Sequence, residues 1–251
     1  MLRIEGKNIL VTGGASGIGL EITKALCVSN TVYVVDRDNA RLSDLKSSHN
    51  VEVICVDLMD WDKTREALDS ALPELVHGVV NNAGVGSQAG FLSVTNDALD
   101  TVLGVNTRAI VNVSQIVAKR LIQHNSKTDD KAMCSIVNIS SLASRFPTRI
   151  STAYNLSKAA VDMLTKSMAL EWGPHNIRVN SVNPNIVMTE LAEAWIAASG
   201  SQLKEKLLAR TPLGKLLEIK DVVNAVLFLL WDGVTMIHGE SLFVDGGYSV
   251  T

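Results

Sequence analysis

Short, nearly continuous apolar runs recur along the chain and alternate with longer amphipathic stretches. The runs are Asn8–Thr12, Thr31–Val35, Val51–Val56, His77–Val80, Ser135–Ile139, Arg178–Val182 and Ser241–Val244. Runs this short and this rich in β-branched residues suit strands covered on both faces. Helical periodicity fills the intervals near Gly17–Val28, Asn39–Lys46, Trp61–Leu72, Leu99–His124, Ala153–Trp172 and Ile219–Leu230. Strand and helix in alternation predict an α/β protein with a parallel sheet and right-handed crossovers. No linker, repeat or low-complexity tract divides residues 1–251, so one domain is expected. Its sheet is doubly wound and seven-stranded, with helices on both faces. Such sheets take ligands beyond the carboxyl ends of their strands, where the strand order reverses. Chemistry is therefore expected just after strands one, four, five and six.

Composition narrows the class without changing this picture. Hydrophobic residues make up 47% and charged residues 20% of the chain, and the formal net charge is -3. This balance offers no basic surface for nucleic acid and no acidic tail. Cys27, Cys55 and Cys134 are odd in number and widely spaced. They read as reduced thiols of a cytoplasmic protein, with no disulfide and no metal-ligand spacing. The opening Met1–Gly6 has no apolar signal region, and the strongly apolar stretch Val222–Trp231 is too short to span a bilayer. No membrane partner is expected.

The segment after the first strand, Thr12-Gly-Gly-Ala-Ser-Gly-Ile-Gly19, is a candidate phosphate cradle. Gly13, Gly17 and Gly19 permit tight turns and close approach, and Ser16 and Ile18 lie between them. A helix opening near Gly17 offers free N–H groups and the positive end of its dipole, which suit a pyrophosphate. The same glycines would also serve a ligand-free strand-to-helix turn. Their place between the first strand and first helix of an α/β pattern favours a dinucleotide. Asp36, 17 residues beyond Gly19 at the end of the second strand, suits the hydroxyls of the adenosine ribose. A carboxylate there repels a 2′-phosphate and favours NAD(H). Arg37 can instead grip that phosphate and favours NADP(H), or can stack on adenine. Asp57 and Leu58, ending the third strand, can meet the adenine edge, although Asp57 also suits a helix cap.

The candidate reaction centre lies further along. Tyr154 and Lys158 are four apart at the start of a helical pattern, so phenol and ammonium share a face. A neighbouring cation favours phenolate and so lowers the phenol's pKa. The spacing alone is weak and equally describes a surface contact. Ser141, directly after the fifth strand, adds a hydroxyl that can hold a substrate oxygen, or merely cap a turn. Asn81-Asn82-Ala83-Gly84 follows the fourth strand and can support a cofactor or simply end that strand. Asn106 sits inside a helical stretch, where it can kink the helix and hold a water leading to Lys158.

Taken together, Thr12-Gly13-x-x-x-Gly17-Ile18-Gly19, Asn81-Asn82-Ala83-Gly84, Asn106, Ser141, Tyr154-x-x-x-Lys158 and Asp245-Gly246-Gly247 resemble the short-chain dehydrogenase/reductase family over essentially the whole chain. The resemblance implies a Rossmann fold, a bound NAD(P)(H), and a tetrad. Tyr154 would be the acid/base and Ser141 the orienter of the substrate oxygen. Lys158 would hold the nicotinamide ribose and Asn106 the relay water. It also implies cofactor contacts from Pro184, Val187 and Thr189. Cys55-Val-Asp-Leu-Met-Asp-Trp61, Val187-Met-Thr189 and Pro212-Leu-Gly-Lys215 look most like the carbonyl-reductase branch of the family. That branch implies a homotetramer that reduces α-dicarbonyls and L-xylulose (to xylitol) with NADPH, with Trp195 lining a substrate segment over about residues 187–212. A hydroxysteroid or 3-oxoacyl reductase with the same machinery, or a non-catalytic dinucleotide sensor, are the alternatives. Three departures stand out. Ser16 is uncharged and Asp36 acidic where NADP-using members carry a basic and a small neutral residue. Asn185 follows Pro184 where many members have glycine, and asparagine tolerates the left-handed backbone such a turn would need.

Overall fold

The computed structural model describes residues 3–189, 192 and 203–251. Its seven strands are β1 (Asn8–Thr12), β2 (Thr31–Asp36), β3 (Val51–Cys55), β4 (Gly78–Asn81), β5 (Cys134–Ile139), β6 (Ile177–Pro184) and β7 (Ser241–Val244). They form one sheet in the order β3-β2-β1-β4-β5-β6-β7, and every pairing is parallel. The order reverses between β1 and β4, which opens a crevice at their carboxyl ends.

Period-two alternation in each strand feeds two cores. In β1, Ile9 and Val11 point into one and Leu10 into the other; Val79/Val80 and Ile136/Val137 split the same way. Against one face pack α3 (Trp61–Ala71), α5 (Ala109–Ser126) and α6 (Thr152–Trp172). Against the other pack α1 (Gly17–Leu26), α2 (Asn39–Ser48) and, late in the chain, Ile219–Leu230. All seven strand residues are at most 1% exposed, and each contributes about 1.5–3 kcal/mol by leaving water.

Three expectations are corrected. The single helix over Leu99–His124 is broken into α4 (Asn96–Leu103), a π-turn at Gly104–Arg108, and α5. A seven-residue helix, α7 (Leu203–Ala209), precedes α8 (Ile219–Leu230) and is too short to register as a period. Asn185 does not adopt a left-handed backbone. Among the described residues the non-glycine positions with positive φ are Ile150 (51°) and Asn176 (61°). Asn185 instead donates its N–H to Val244 O at 3.0 Å, continuing the β6–β7 pairing, so glycine's freedom is not needed there.

Candidate active site

A cleft of about 1720 Å³ runs along the carboxyl edge of the sheet, from the ends of β2 and β3 to the start of α6. Its length and its glycine floor are the first tests of whether a dinucleotide fits. A Cβ on Gly13 would sit 2.8 Å from Ala83 Cα, and one on Gly19 would sit 2.1 Å from Gly13 O. Neither space exists for a larger residue. Gly17 has φ +51°, and a Cβ there would meet only Thr189 at 3.8 Å. The turn is strapped to β4: Asn82 Nδ2 donates to Thr12 O and Gly13 O, each at 3.0 Å. Thr12 Oγ1 accepts the Asn82 and Ala83 N–H groups.

The N-terminus of α1 opens onto this floor. The side chains of Asp38, Asp60 and Thr95 cap α2, α3 and α4, but Ser16 makes no capping bond to α1. Unspent N–H donors and a helix dipole therefore face the cleft, which is what a pyrophosphate requires. Ser16, Gly17 and Ile18 line it; Gly19 lies buried beneath.

Asp36 sits on the cleft wall with its carboxylate fixed by main chain. Oδ2 accepts Ala15 N–H at 3.2 Å and Oδ1 accepts Asp38 N–H at 3.1 Å. Arg37 is exposed on the rim, and Arg41, not anticipated from sequence, joins it there, ion-paired with Asp38 at 3.3 Å. Asp57 and Leu58 line the same end, and Asp57 also accepts Met59 N–H in a local turn.

At the other end stand Ser141, Tyr154 and Lys158, with Ala83, Gly84, Pro184, Val187 and Thr189 around them. Ser141 makes the local cap that its position after β5 suggested, and its hydroxyl also lines the cleft. Its Oγ accepts Ala143 N–H at 3.1 Å, capping a short 3₁₀ turn, and the hydroxyl stands beside Tyr154 on the cleft wall. Lys158 is 4% exposed; its Nζ lies 5.6 Å from the Tyr154 ring centre and donates to Ile139 O at 2.8 Å. Burial pushes its pKa down to about 8, against the pull of Asp162. Burial also raises the Tyr154 phenol, only partly offset by Ser141. The lowering expected from a neighbouring cation is thus not a property of the protein alone: desolvation of the phenolate is the largest influence, and it raises the pKa.

Asn106 does not line the cleft. It is fully buried in the π-turn, and both amide hydrogens are spent, on Val85 O and Ser157 Oγ, each at 3.0 Å. Oδ1 accepts Val85 N–H at 2.8 Å. The side chain therefore anchors the segment after Gly84 to α6. Asn81, by contrast, is turned into the core, donating to Ser114 Oγ and Asn138 Oδ1. Trp195 lies outside the described residues.

Comparison with known proteins agrees with this geometry. A family model described as enoyl-(acyl carrier protein) reductase matches residues 13–249. The chain is 44% identical over 252 residues to an L-xylulose reductase of Bos taurus, covering 100% of this chain and 99% of the relative. It is 43% identical over 253 residues to a D-erythrulose reductase of Gallus gallus, covering 100% and 98%. Among solved structures, a gluconate 5-dehydrogenase from Burkholderia cenocepacia J2315 in complex with NADP and tartrate superposes with TM-score 0.90 at 27% identity, covering 99% and 97%. A 3-ketoacyl-(acyl-carrier-protein) reductase from Brucella melitensis complexed with NADH gives 0.88 at 29%, covering 98% and 100%. The chain belongs to the short-chain dehydrogenase/reductase family and is a nicotinamide-dinucleotide oxidoreductase acting on carbonyl and CH–OH groups.

Proposed function

We propose that the protein is a carbonyl reductase and polyol dehydrogenase that interconverts L-xylulose and xylitol and also reduces α-dicarbonyls. The observation that carries the chemistry is the convergence of Ser141, Tyr154 and buried Lys158, with Lys158 Nζ 5.6 Å from the Tyr154 ring centre, at one end of a cleft that can seat a dinucleotide. The full-length likeness to L-xylulose reductases supports the substrate.

The nicotinamide, when bound, supplies or accepts the hydride. Tyr154 gives the substrate oxygen its proton on reduction and takes it back on oxidation. Ser141 Oγ donates to that oxygen and orients it. Lys158 holds the nicotinamide ribose, and its charge, with the cofactor's own, favours the phenolate. Asn106 keeps the wall behind Lys158 in place. Residues 187–212, with Trp195, form the substrate segment of the single domain.

NAD(H) is the preferred cofactor in this reading. Two main-chain N–H groups fix the Asp36 carboxylate on the wall, so it does not swing away from a 2′-phosphate. Arg37 is exposed and Arg41 is paired with Asp38, which leaves the opposing cations screened or shared. The protein is cytoplasmic and homotetrameric. Leu156, Met163 and Leu170 recur at seven-residue spacing along one side of α6 and are 51%, 62% and 84% exposed, a stripe suited to a second copy. No described helix is long and apolar enough to cross a membrane.

Paired NADH and NADPH kinetics on L-xylulose, diacetyl and xylitol test the reading. Turnover in both directions, better with NAD(H), is expected; no turnover with either cofactor overturns it. Sedimentation at micromolar concentration tests the tetramer.

A further inference from the structure

Beneath the reaction centre lies a row of polar groups that the tetrad does not include. Asn183, near the end of β6, is fully buried. Its Nδ2 lies 2.9 Å from both Asp162 carboxylate oxygens, 3.0 Å from Ser144 Oγ and 3.3 Å from Ser141 O. Its Oδ1 accepts from Ser181 Oγ at 2.8 Å, and Ser181 Oγ also reaches Ser241 Oγ and Asp162 Oδ1. One amide thus ties α6, β6 and the 3₁₀ turn that begins at Ser141. Asp162 is four residues after Lys158, one helical turn on and on the same side of α6. A partly buried carboxylate facing serines and one amide meets no cationic partner in these bonds, so its charge must serve the surroundings.

We propose that Asp162 is a positioning residue for the reaction, holding Asn183 against the turn that presents Ser141 while standing one helical turn from Lys158. Two consequences follow. Through Asn183 it sets where Ser141 Oγ meets the substrate oxygen. Through space it is the carboxylate that opposes the desolvation of Lys158. The titratable groups facing Lys158 are Tyr154 and Asp162, both on α6. β5 presents the Ile139 carbonyl, and the π-turn and the segment after β4 present Asn106 and Gly84, none of which is charged. Facing Asp162 across the packing are Ser181, Asn183 and, through Ser181, Ser241; Lys166 on its own helix is exposed.

The proposal rests on the reading of Ser141, Tyr154 and Lys158 as the reaction centre, so Tyr154→Phe is assayed beside it as the control for that reading. Asp162→Ala is expected to lower kcat about tenfold, the scale that slight misplacement of a reacting group brings. Cofactor binding, read by quenching of intrinsic fluorescence, should hold. Asp162→Asn keeps an acceptor for Asn183 and should lose less. In both variants the alkaline limb of the kcat/KM profile should move to lower pH, because Lys158 loses its proton earlier without the carboxylate. Asn183→Ala should reproduce the kcat loss without moving the limb. An Asp162→Ala enzyme with kcat within twofold of wild type overturns the proposal. A fall in kcat with an unmoved alkaline limb also overturns it, since a purely structural residue gives that result. Activity surviving in Tyr154→Phe overturns the reading of the centre instead.

Discussion

The two ends of the cleft are shaped by opposite means. At the adenine end, space is made by leaving atoms out: Gly13 and Gly19 sit where any Cβ would strike main chain, and Thr12 and Asn82 lock the strands around them. At the reaction end, space is made by side chains that are buried, polar and tied to one another. Asn106, Ser157, Asn183 and Lys158 are each at most 4% exposed, and each has a protein partner. The first end is a steric mould and tolerates no added atom at Gly13 or Gly19. The second is a hydrogen-bonded assembly, which tolerates isosteres but not a missing partner. Binding and chemistry should therefore fail separately.

The largest effect should come from Tyr154→Phe, which keeps the ring and removes the proton. We expect kcat to fall by about 10³-fold, within the range for losing a general acid, with dinucleotide binding unchanged in a fluorescence titration. Loss of binding together with activity would erase the contrast between the ends. Gly19→Ala should do the reverse. Its methyl would lie 2.1 Å from Gly13 O, so the turn must move; we expect a cost of about 3 kcal/mol in chemical denaturation and loss of dinucleotide binding. Asp36→Ser should raise the NADPH-to-NADH ratio of kcat/KM about tenfold, equivalent to about 1.4 kcal/mol, with kcat on the preferred cofactor little altered. An unchanged ratio would show that the carboxylate does not face the ribose.

The smallest effect concerns pH. Lys158 has a folded pKa of about 8 against an ordinary value of 10.5. Below 8 both states hold the proton, and the folded protein bears the full cost of the buried charge. Between about 8 and 10.5 the unfolded chain holds more protons than the folded one, so stability rises with pH through that window. Lys158→Met should flatten this rise in ligand-free denaturation curves measured from pH 7 to 10. A slope unchanged by the substitution would mean that the ammonium is solvated.

What was legible in the sequence was local. Seven apolar runs gave the seven strands, because strands covered on both faces read as continuous apolar sequence. The glycine turn and the Tyr154–Lys158 spacing are likewise contained within a few residues. What was not legible depends on tertiary packing. Asp162 and Asn183 are 21 residues apart, on a helix and a strand, and an Asp amid helical periodicity reads as a solvent-facing residue. The extra work of Asp36, bracing Ala15, needed β2 and the turn side by side. The rise in the Tyr154 pKa could not be foreseen from a neighbouring lysine, because its sign depends on how much water the fold removes from both groups.

The π-turn at Gly104–Arg108 has a further consequence. It is in effect one residue more than an α-helix would use to cover the same rise, and it places Asn106 against Val85. Deleting that residue would let the stretch close into a regular helix of the same rise, so α5 would keep its register and Val113, Ile116 and Val117 their places in the core. What would go is the bulge itself, and with it the reach of Asn106 to both Val85 and Ser157. The extra residue thus serves the wall of the reaction centre and not the packing of the helix that carries it.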